Sequence, residues 1–255
     1  MKAYFLVDDS RWHQDNLLEF ATRLTALGIG CTTVFVGQGP SPELPGAILS
    51  LDDFCHQLTA KGFGTRAQLQ AVLDESAARN GDAHYTGIPV IKLFFPLVFD
   101  GPFWVLDTDL YLLPATDATL FAVDAGFAAV IEDSPPHELV AGAEKLFVNA
   151  GVLYWHPDRL DQDVWQLLKQ GLVSMIDPRR YKLASDACRL GEEGVLNHLL
   201  QQVRMRTGKD ITTVLPEYYN LSNNYKALQV FPSKGIVHFK GSRKPLWQEF
   251  ESKRL

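Results

Sequence analysis

The stretch Phe103–Pro114, FWVLDTDLYLLP, decides how the chain is read. Four apolar residues, Phe103 to Leu106, have the character of a buried strand, and they run directly into Asp107 and Asp109 before apolar character resumes at Leu110. Two carboxylates one residue apart at the end of a buried strand require a compensating cation. In a turn leaving a strand, side chains at i and i+2 can face one point. That geometry suits a hard divalent ion, Mg²⁺ or Mn²⁺, that keeps positions open for water and phosphate oxygens. The carboxyl edge of the strands is also where open α/β sheets bind ligands. Taken alone, the same residues read equally well as solvated turn carboxylates or a helix cap.

Working outward, AYFLVDD at the start is a second buried-strand pattern ending on acids, Asp8 and Asp9. A helical pattern follows from about Asp15 to Leu27, with Leu17, Leu18, Ala21, Leu24 and Leu27 at helical spacing and Gly28 as the stop, and CTTVFVG is the next strand. This βαβ rhythm predicts a largely parallel sheet covered by helices. GQGPSPELPG reads as a loop, and a helix begins at Thr65, capped by a Thr65–Gln68 box, and stops near Asn80-Gly81. IPVIKLFFPLVF reads as a short helix broken near Pro96. GFAAVIED and LFVNAGVLYWHP supply further strands, helices follow from about Asp161 and about Glu192, and GIVHF is a late strand. The polar, Pro-containing stretch EDSPPHELVAGAEK is the expected mobile loop. No repeat or linker divides the chain, so residues 1–255 are read as one domain.

The 255 residues are 46% hydrophobic, enough for one large core. With 24 basic and 30 acidic residues the formal charge is −6, which argues against a nucleic-acid surface. Cys31, Cys55 and Cys188 are odd in number, far apart and form no CxxC pair, so neither a disulfide framework nor a thiolate zinc site is indicated. The apolar run at the N-terminus is too short for a secretory segment. The longest apolar stretch, Ile88 to Phe99, is interrupted by Lys92 and Pro96 and cannot span a bilayer. The expected compartment is the cytoplasm. The mixed basic and aromatic end, SRKPLWQEFESKRL, hints at peripheral contact with the inner membrane face.

The strand-end acids belong to a larger pattern. VLDTDLYLL (Val105–Leu113), FVNAGVLYW (Phe147–Trp155), GEEGVLNHLL (Gly191–Leu200), LPEYYN (Leu215–Asn220) and HFKGSRKPLW (His238–Trp247) follow one another in that order. Together with FLVDDSRW near the start, they resemble glycosyltransferase family 8, the retaining nucleotide-sugar transferases that include glycogenin and bacterial lipopolysaccharide galactosyl- and glucosyltransferases. The resemblance covers nearly the whole chain. It implies an α/β, GT-A-type nucleotide-diphospho-sugar transferase fold with a mixed, mostly parallel Rossmann-like sheet flanked by helices. The implied reaction is metal-dependent, retaining transfer of a hexose, glucose or galactose, from a UDP-sugar to a carbohydrate hydroxyl.

Residue by residue, the resemblance makes Asp107, Asp109 and His238 the ligands of Mn²⁺ or Mg²⁺, with Thr108 between the acids also at the donor site. Gly241, where no Cβ intrudes, and Lys244 are implied phosphate contacts. Asp8 and Ser10 match the positions that hold base and ribose. Asn149, in FVNAGV, is the implied polar contact of the donor sugar, whose hydroxyls would satisfy a buried amide. Lys92 stands where relatives carry Arg and cannot make the same bidentate fork. Relatives usually read Asp-Gln-x-x-Leu-Asn where this chain has Glu192, Glu193, Leu196 and Asn197. Glu193 thus replaces a neutral amide near the reacting face, as nucleophile or as stabiliser of an oxocarbenium-like centre, with Glu192 beside it and Asn149 completing the implied catalytic set. Glu132 and Asp133 are further candidates for hydroxyl contacts.

Two other readings compete. A haloacid-dehalogenase-type phosphohydrolase also ends a strand in DxD, but it needs Thr or Val where Tyr111 stands. A catalytically inactive sugar-nucleotide-binding relative would keep the metal site and lose the reaction.

Overall fold

The computed structural model describes residues 1–79, 88–131, 147–188, 191–222 and 233–238. Glu132, Asp133, Gly241, Lys244 and the loop EDSPPHELVAGAEK lie outside the described residues, as does the predicted helix stop at Asn80-Gly81.

Among the described residues, seven strands form one sheet in the order β3-β2-β1-β4-β7-β6-β8. They are β1 (Lys2–Val7), β2 (Gly30–Phe35), β3 (Ala47–Ser50), β4 (Phe103–Leu106), β6 (Phe127–Ile131), β7 (Val148–Trp155) and β8 (Thr212–Val214). A second sheet, β5-β10-β9, is built from β5 (Leu110–Leu112), β9 (Leu221–Ser222) and β10 (Ile236–His238). In the large sheet β1, β2, β3 and β4 pair in parallel, β6 pairs in parallel with β8, and β7 runs against both its neighbours. The mixed, mostly parallel sheet of the sequence reading is therefore present. The reversal has a positional consequence: the start of β7 lies beside the carboxyl end of β4.

Strand alternation divides the core. Tyr4, Phe103, Val105, Leu153 and Trp155 face one way and pack with residues of α2 (Leu51–Ala60), α3 (Arg66–Arg79), α4 (Phe95–Val98), α5 (Gln162–Ser174), α6 (Pro178–Cys188) and α7 (Gly191–Thr207). Phe5, Trp104, Leu106, Val152 and Tyr154 face the other way, against α1 (Arg11–Ala26) and the small sheet. Both faces of the central strands are buried, the condition under which they read as continuous apolar runs.

Several boundaries differ from the sequence reading. Helix α1 begins at Arg11 rather than near Asp15, because the Ser10 hydroxyl accepts the His13 N–H and caps it. Between the Gly/Pro loop and Thr65 lie β3 and α2, where Ser50 and Asp53 form a reciprocal capping box. The predicted Thr65–Gln68 box is present: the Gln68 side chain accepts the Thr65 N–H at 3.0 Å and the Gln68 N–H reaches the Thr65 hydroxyl at 3.2 Å. In IPVIKLFFPLVF the change falls at Phe94, where a 3₁₀ helix (Ile88–Phe94) gives way to α4. Pro96 stands in the first turn of α4, where no N–H is needed, and breaks nothing. No helix among the described residues is long and apolar enough to cross a membrane.

Candidate metal centre and its supports

Two ladders assemble the centre. The last pair of the β4–β7 ladder is Leu106 with Val152, and the Asp107 N–H extends it to the Gly151 carbonyl at 2.9 Å. Residues 107–109 then turn the chain into β5, in the second sheet. There β10 pairs antiparallel with β5 and puts His238 opposite Leu110, next to Asp109. The result is a cluster in which one carboxylate oxygen each from Asp107 and Asp109 and one ring nitrogen of His238 lie within 4.8 Å of one another. His238 Nε2 is 3.1 Å from Asp109 Oδ1 and 3.8 Å from Asp107 Oδ2. The imidazole is buried and lies over Gly151, where an added Cβ would come within 2.5 Å of its Cε1 and 2.8 Å of its Nδ1. A ring can occupy that place only because residue 151 has no side chain.

The cation beside Asp107 in the protein itself is Lys92, carried on the 3₁₀ helix and 5% exposed. Its Nζ lies 2.5 Å from Asp107 Oδ1 and 3.6 Å from Glu192 Oε1. Burial alone would push the lysine down, but the carboxylates of Asp107, Glu192 and Asp109 overcome it, so the ammonium is held above its ordinary value. Asp107 thus divides its oxygens, Oδ1 toward Lys92 and Oδ2 toward His238. Two carboxylate oxygens and one imidazole nitrogen, with no thiolate, form a donor set that could hold a divalent metal ion.

Behind the imidazole stands a chain of amides. His238 Nδ1 lies 2.9 Å from Asn220 Oδ1, Asn220 Nδ2 donates to Asn149 Oδ1 at 2.7 Å, and Asn149 Nδ2 donates to Glu193 Oε2 at 3.1 Å. Gly151 N–H also donates to Asn149 Oδ1, and Ala150 N–H to Glu193 Oε2. Sequence reading gave Asn149 a sugar's hydroxyls as partners. In the structure its amide has protein partners, Gly151 and Asn220 at the oxygen and Glu193 at the nitrogen. Asn220 was named only within its motif; its place just ahead of β9, the strand paired beside His238, made it visible only in three dimensions.

Glu192 and Glu193 occupy the first turn of α7, where the helix dipole favours negative charge. Asn197, one turn on, accepts the Val148 N–H at 2.8 Å and donates to the Val148 carbonyl at 2.9 Å, clamping α7 to β7. Leu196 beside it is fully in the core. Asn197 also donates to the Glu193 carbonyl at 2.8 Å, tying the first turn of α7 to this clamp.

At the end of β1, Asp8 Oδ1 accepts the Ser10 N–H at 2.9 Å and faces His13 Nδ1 at 3.1 Å. The His13 contact, opposed by partial burial and aided by the Ser10 N–H, holds the Asp8 carboxyl below its ordinary value. Ser10 caps α1 as described. Thr108 is half-buried between the two acids.

No family model matches the chain, and no curated protein sequence matches it significantly. Solved structures do. An active-site mutant of LgtC in which glutamate replaces glutamine aligns with a TM-score of 0.58 at 14% identity, over 96% of this chain and 89% of that one. The galactosyltransferase LgtC in complex with donor and acceptor sugar analogues aligns at 0.56 and 14%, over 100% and 94%. The bifunctional glycosyltransferase WbbM aligns at 0.56 and 13%, over 96% of this chain and 46% of its own. The chain has the α/β, GT-A-type fold of these glycosyltransferases.

Proposed function

We propose that the chain is a metal-dependent retaining glycosyltransferase that moves a hexose, glucose or galactose, from a UDP-sugar to a carbohydrate hydroxyl. The observation that carries this reading is the convergence of Asp107, Asp109 and His238 at the carboxyl end of β4 in a fold shared with glycosyltransferases. Asp107, Asp109 and His238 would hold Mn²⁺ or Mg²⁺, and the ion, when bound, neutralises charge on a departing diphosphate. Thr108, Gly241 and Lys244 are assigned to the diphosphate side of the donor, and Asp8 and Ser10 to base and ribose. Lys92 pairs with Asp107 rather than gripping the donor as an arginine fork would.

Glu193 is assigned to the reacting face. Two N–H donors on Oε2 hold the carboxylate in place, and Asn149 acts as one of those supports rather than as a catalytic group. Glu192 is drawn toward Lys92, which leaves Glu193 the better placed to stabilise positive charge at the anomeric carbon or to attack it. Transfer or hydrolysis of UDP-glucose or UDP-galactose with Mn²⁺ tests the reading. Turnover in wild type, lost in Asp109→Asn and strongly reduced in Glu193→Gln, is expected. Unchanged turnover in Glu193→Gln removes both roles given to that carboxylate.

The glutamates where relatives carry Asp-Gln favour one second reading, a sugar-nucleotide-binding protein without transfer. Mn²⁺-dependent thermal stabilisation by a UDP-sugar without any turnover would select it.

A further inference from the structure

The amide chain behind His238 has a direction, and two of its members cannot be reversed. A backbone N–H can only donate, so the Gly151 N–H fixes the group on Asn149 that faces it as the carbonyl oxygen. Glu193 Oε2, which already accepts the Ala150 N–H, is an acceptor, so the Asn149 group facing it is the NH₂. With Asn149 pinned at both ends, the Asn220 group that meets Asn149 Oδ1 must be its NH₂. The Asn220 carbonyl then faces His238 Nδ1, which must carry a proton to make that 2.9 Å contact. The other ring nitrogen, Nε2, is then the one that faces the carboxylates of Asp109 and Asp107.

We infer that Asn220 is a positioning residue of the metal centre: it accepts the His238 Nδ1–H and, itself oriented by Asn149, Gly151 and Glu193, holds the ring with Nε2 turned toward Asp107 and Asp109. The inference rests on the metal reading for its purpose, but the Nδ1–H contact itself does not depend on it. Metal-bound histidines commonly donate their second N–H to such an outer partner, and losing that partner costs about 10- to 100-fold in metal affinity. Here the outer partner is a neutral amide whose own orientation is inherited, through Asn149, from a backbone N–H and from the carboxylate assigned to the sugar. Asn149 and Asn220 are both buried, and Asn220 bridges Asn149 and His238, so its carboxamide matches the site at both ends.

The test has two readouts on the full chain, freed of metal with chelator. ¹⁵N chemical shifts of the His238 ring should show a protonated Nδ1, the nitrogen that faces the Asn220 carbonyl. An unprotonated Nδ1 overturns the inference whether or not the chain binds metal. Calorimetric titration with Mn²⁺ alone should show Asn220→Ala about 10- to 100-fold weaker than wild type. Asn220→Asp, which still accepts from Nδ1 but no longer donates to Asn149, should stay within a few-fold of wild type. Rescue by Asp and loss in Ala separate positioning from simple packing, since both variants remove the bond to Asn149. Equal affinity in wild type and Asn220→Ala, with Nδ1 still protonated, overturns the role of Asn220. No binding of Mn²⁺ by wild type while Nδ1 is protonated overturns the metal reading instead.

Discussion

Two neighbouring parallel strands, β1 and β4, each end on a pair of aspartates, and the two pairs have different fates. Asp8 and Asp9 turn to donors nearby: Asp8 to Ser10 and His13, Asp9 to the Gln38 and Gly39 backbone N–H groups at 2.8 and 2.9 Å. Gly37 lets that loop close on Asp9, whose carboxylate would overlap any Cβ there. Asp107 and Asp109 face side chains brought from elsewhere, Lys92 and His238. Paired acids at a strand end therefore do not mark an ion site by themselves. Donors from the local backbone settle a loop, whereas an imidazole delivered by another sheet leaves oxygens and nitrogen facing one common point.

That contrast can be broken most severely at Gly151. Gly151→Ala removes no ligand but places a methyl where the His238 ring lies. Mn²⁺ affinity measured by calorimetry should fall by about 100-fold or more, since the ring must leave its outer partner as well as its place. Next in size is Lys92→Met, which removes the buried ammonium and leaves Asp107 without its short-range partner. Urea unfolding of the metal-free chain should show a loss of about 3 kcal/mol, the low end for breaking a buried pair because Asp107 is partly exposed. Mn²⁺ affinity should hold or rise in the same variant, because the remaining carboxylates are less neutralised.

The smallest effect belongs to the β1 pair. The Asp8 carboxyl is held below its ordinary value, so its contribution to stability is present above about pH 4 and is lost as the pH falls through its lowered folded value. Asp8→Asn should flatten the acid limb of stability against pH, measured by thermal unfolding from about pH 5 to pH 2, and leave Mn²⁺ affinity within twofold. A matching loss of Mn²⁺ affinity would abolish the distinction between the two pairs.

The same contrast explains what could be read from the chain. The strand FWVL, its acids and the long strand through Asn149 were legible because each is a continuous apolar run with an abrupt polar interruption. The resemblance joined His238 to them across most of the chain. Of the small sheet only β10 was legible, as GIVHF; β9 has too little length to show a period, and β5 follows the acids without a break. Helix α6 was passed over, its 11 residues holding charged and small side chains among few apolar ones. The Ser50–Asp53 box carried a readable signal for α2 and went unused, since Gly and Pro just upstream suggested one long loop. Asn149 was assigned to a sugar because a buried amide needs partners; what sequence could not show is that the Gly151 N–H, Asn220 and Glu193 lie within reach of it.

Three residue pairs join β10 to β5, and two join it to β9. Through them, a segment late in the chain meets a turn set down roughly 130 residues earlier, a closure that is entropically costly for so few backbone bonds. An ion held by Asp107, Asp109 and His238 would act as a clasp on that long excursion, so loading the centre would also fasten the small sheet, and emptying it would loosen β10 before it disturbed the seven-stranded sheet.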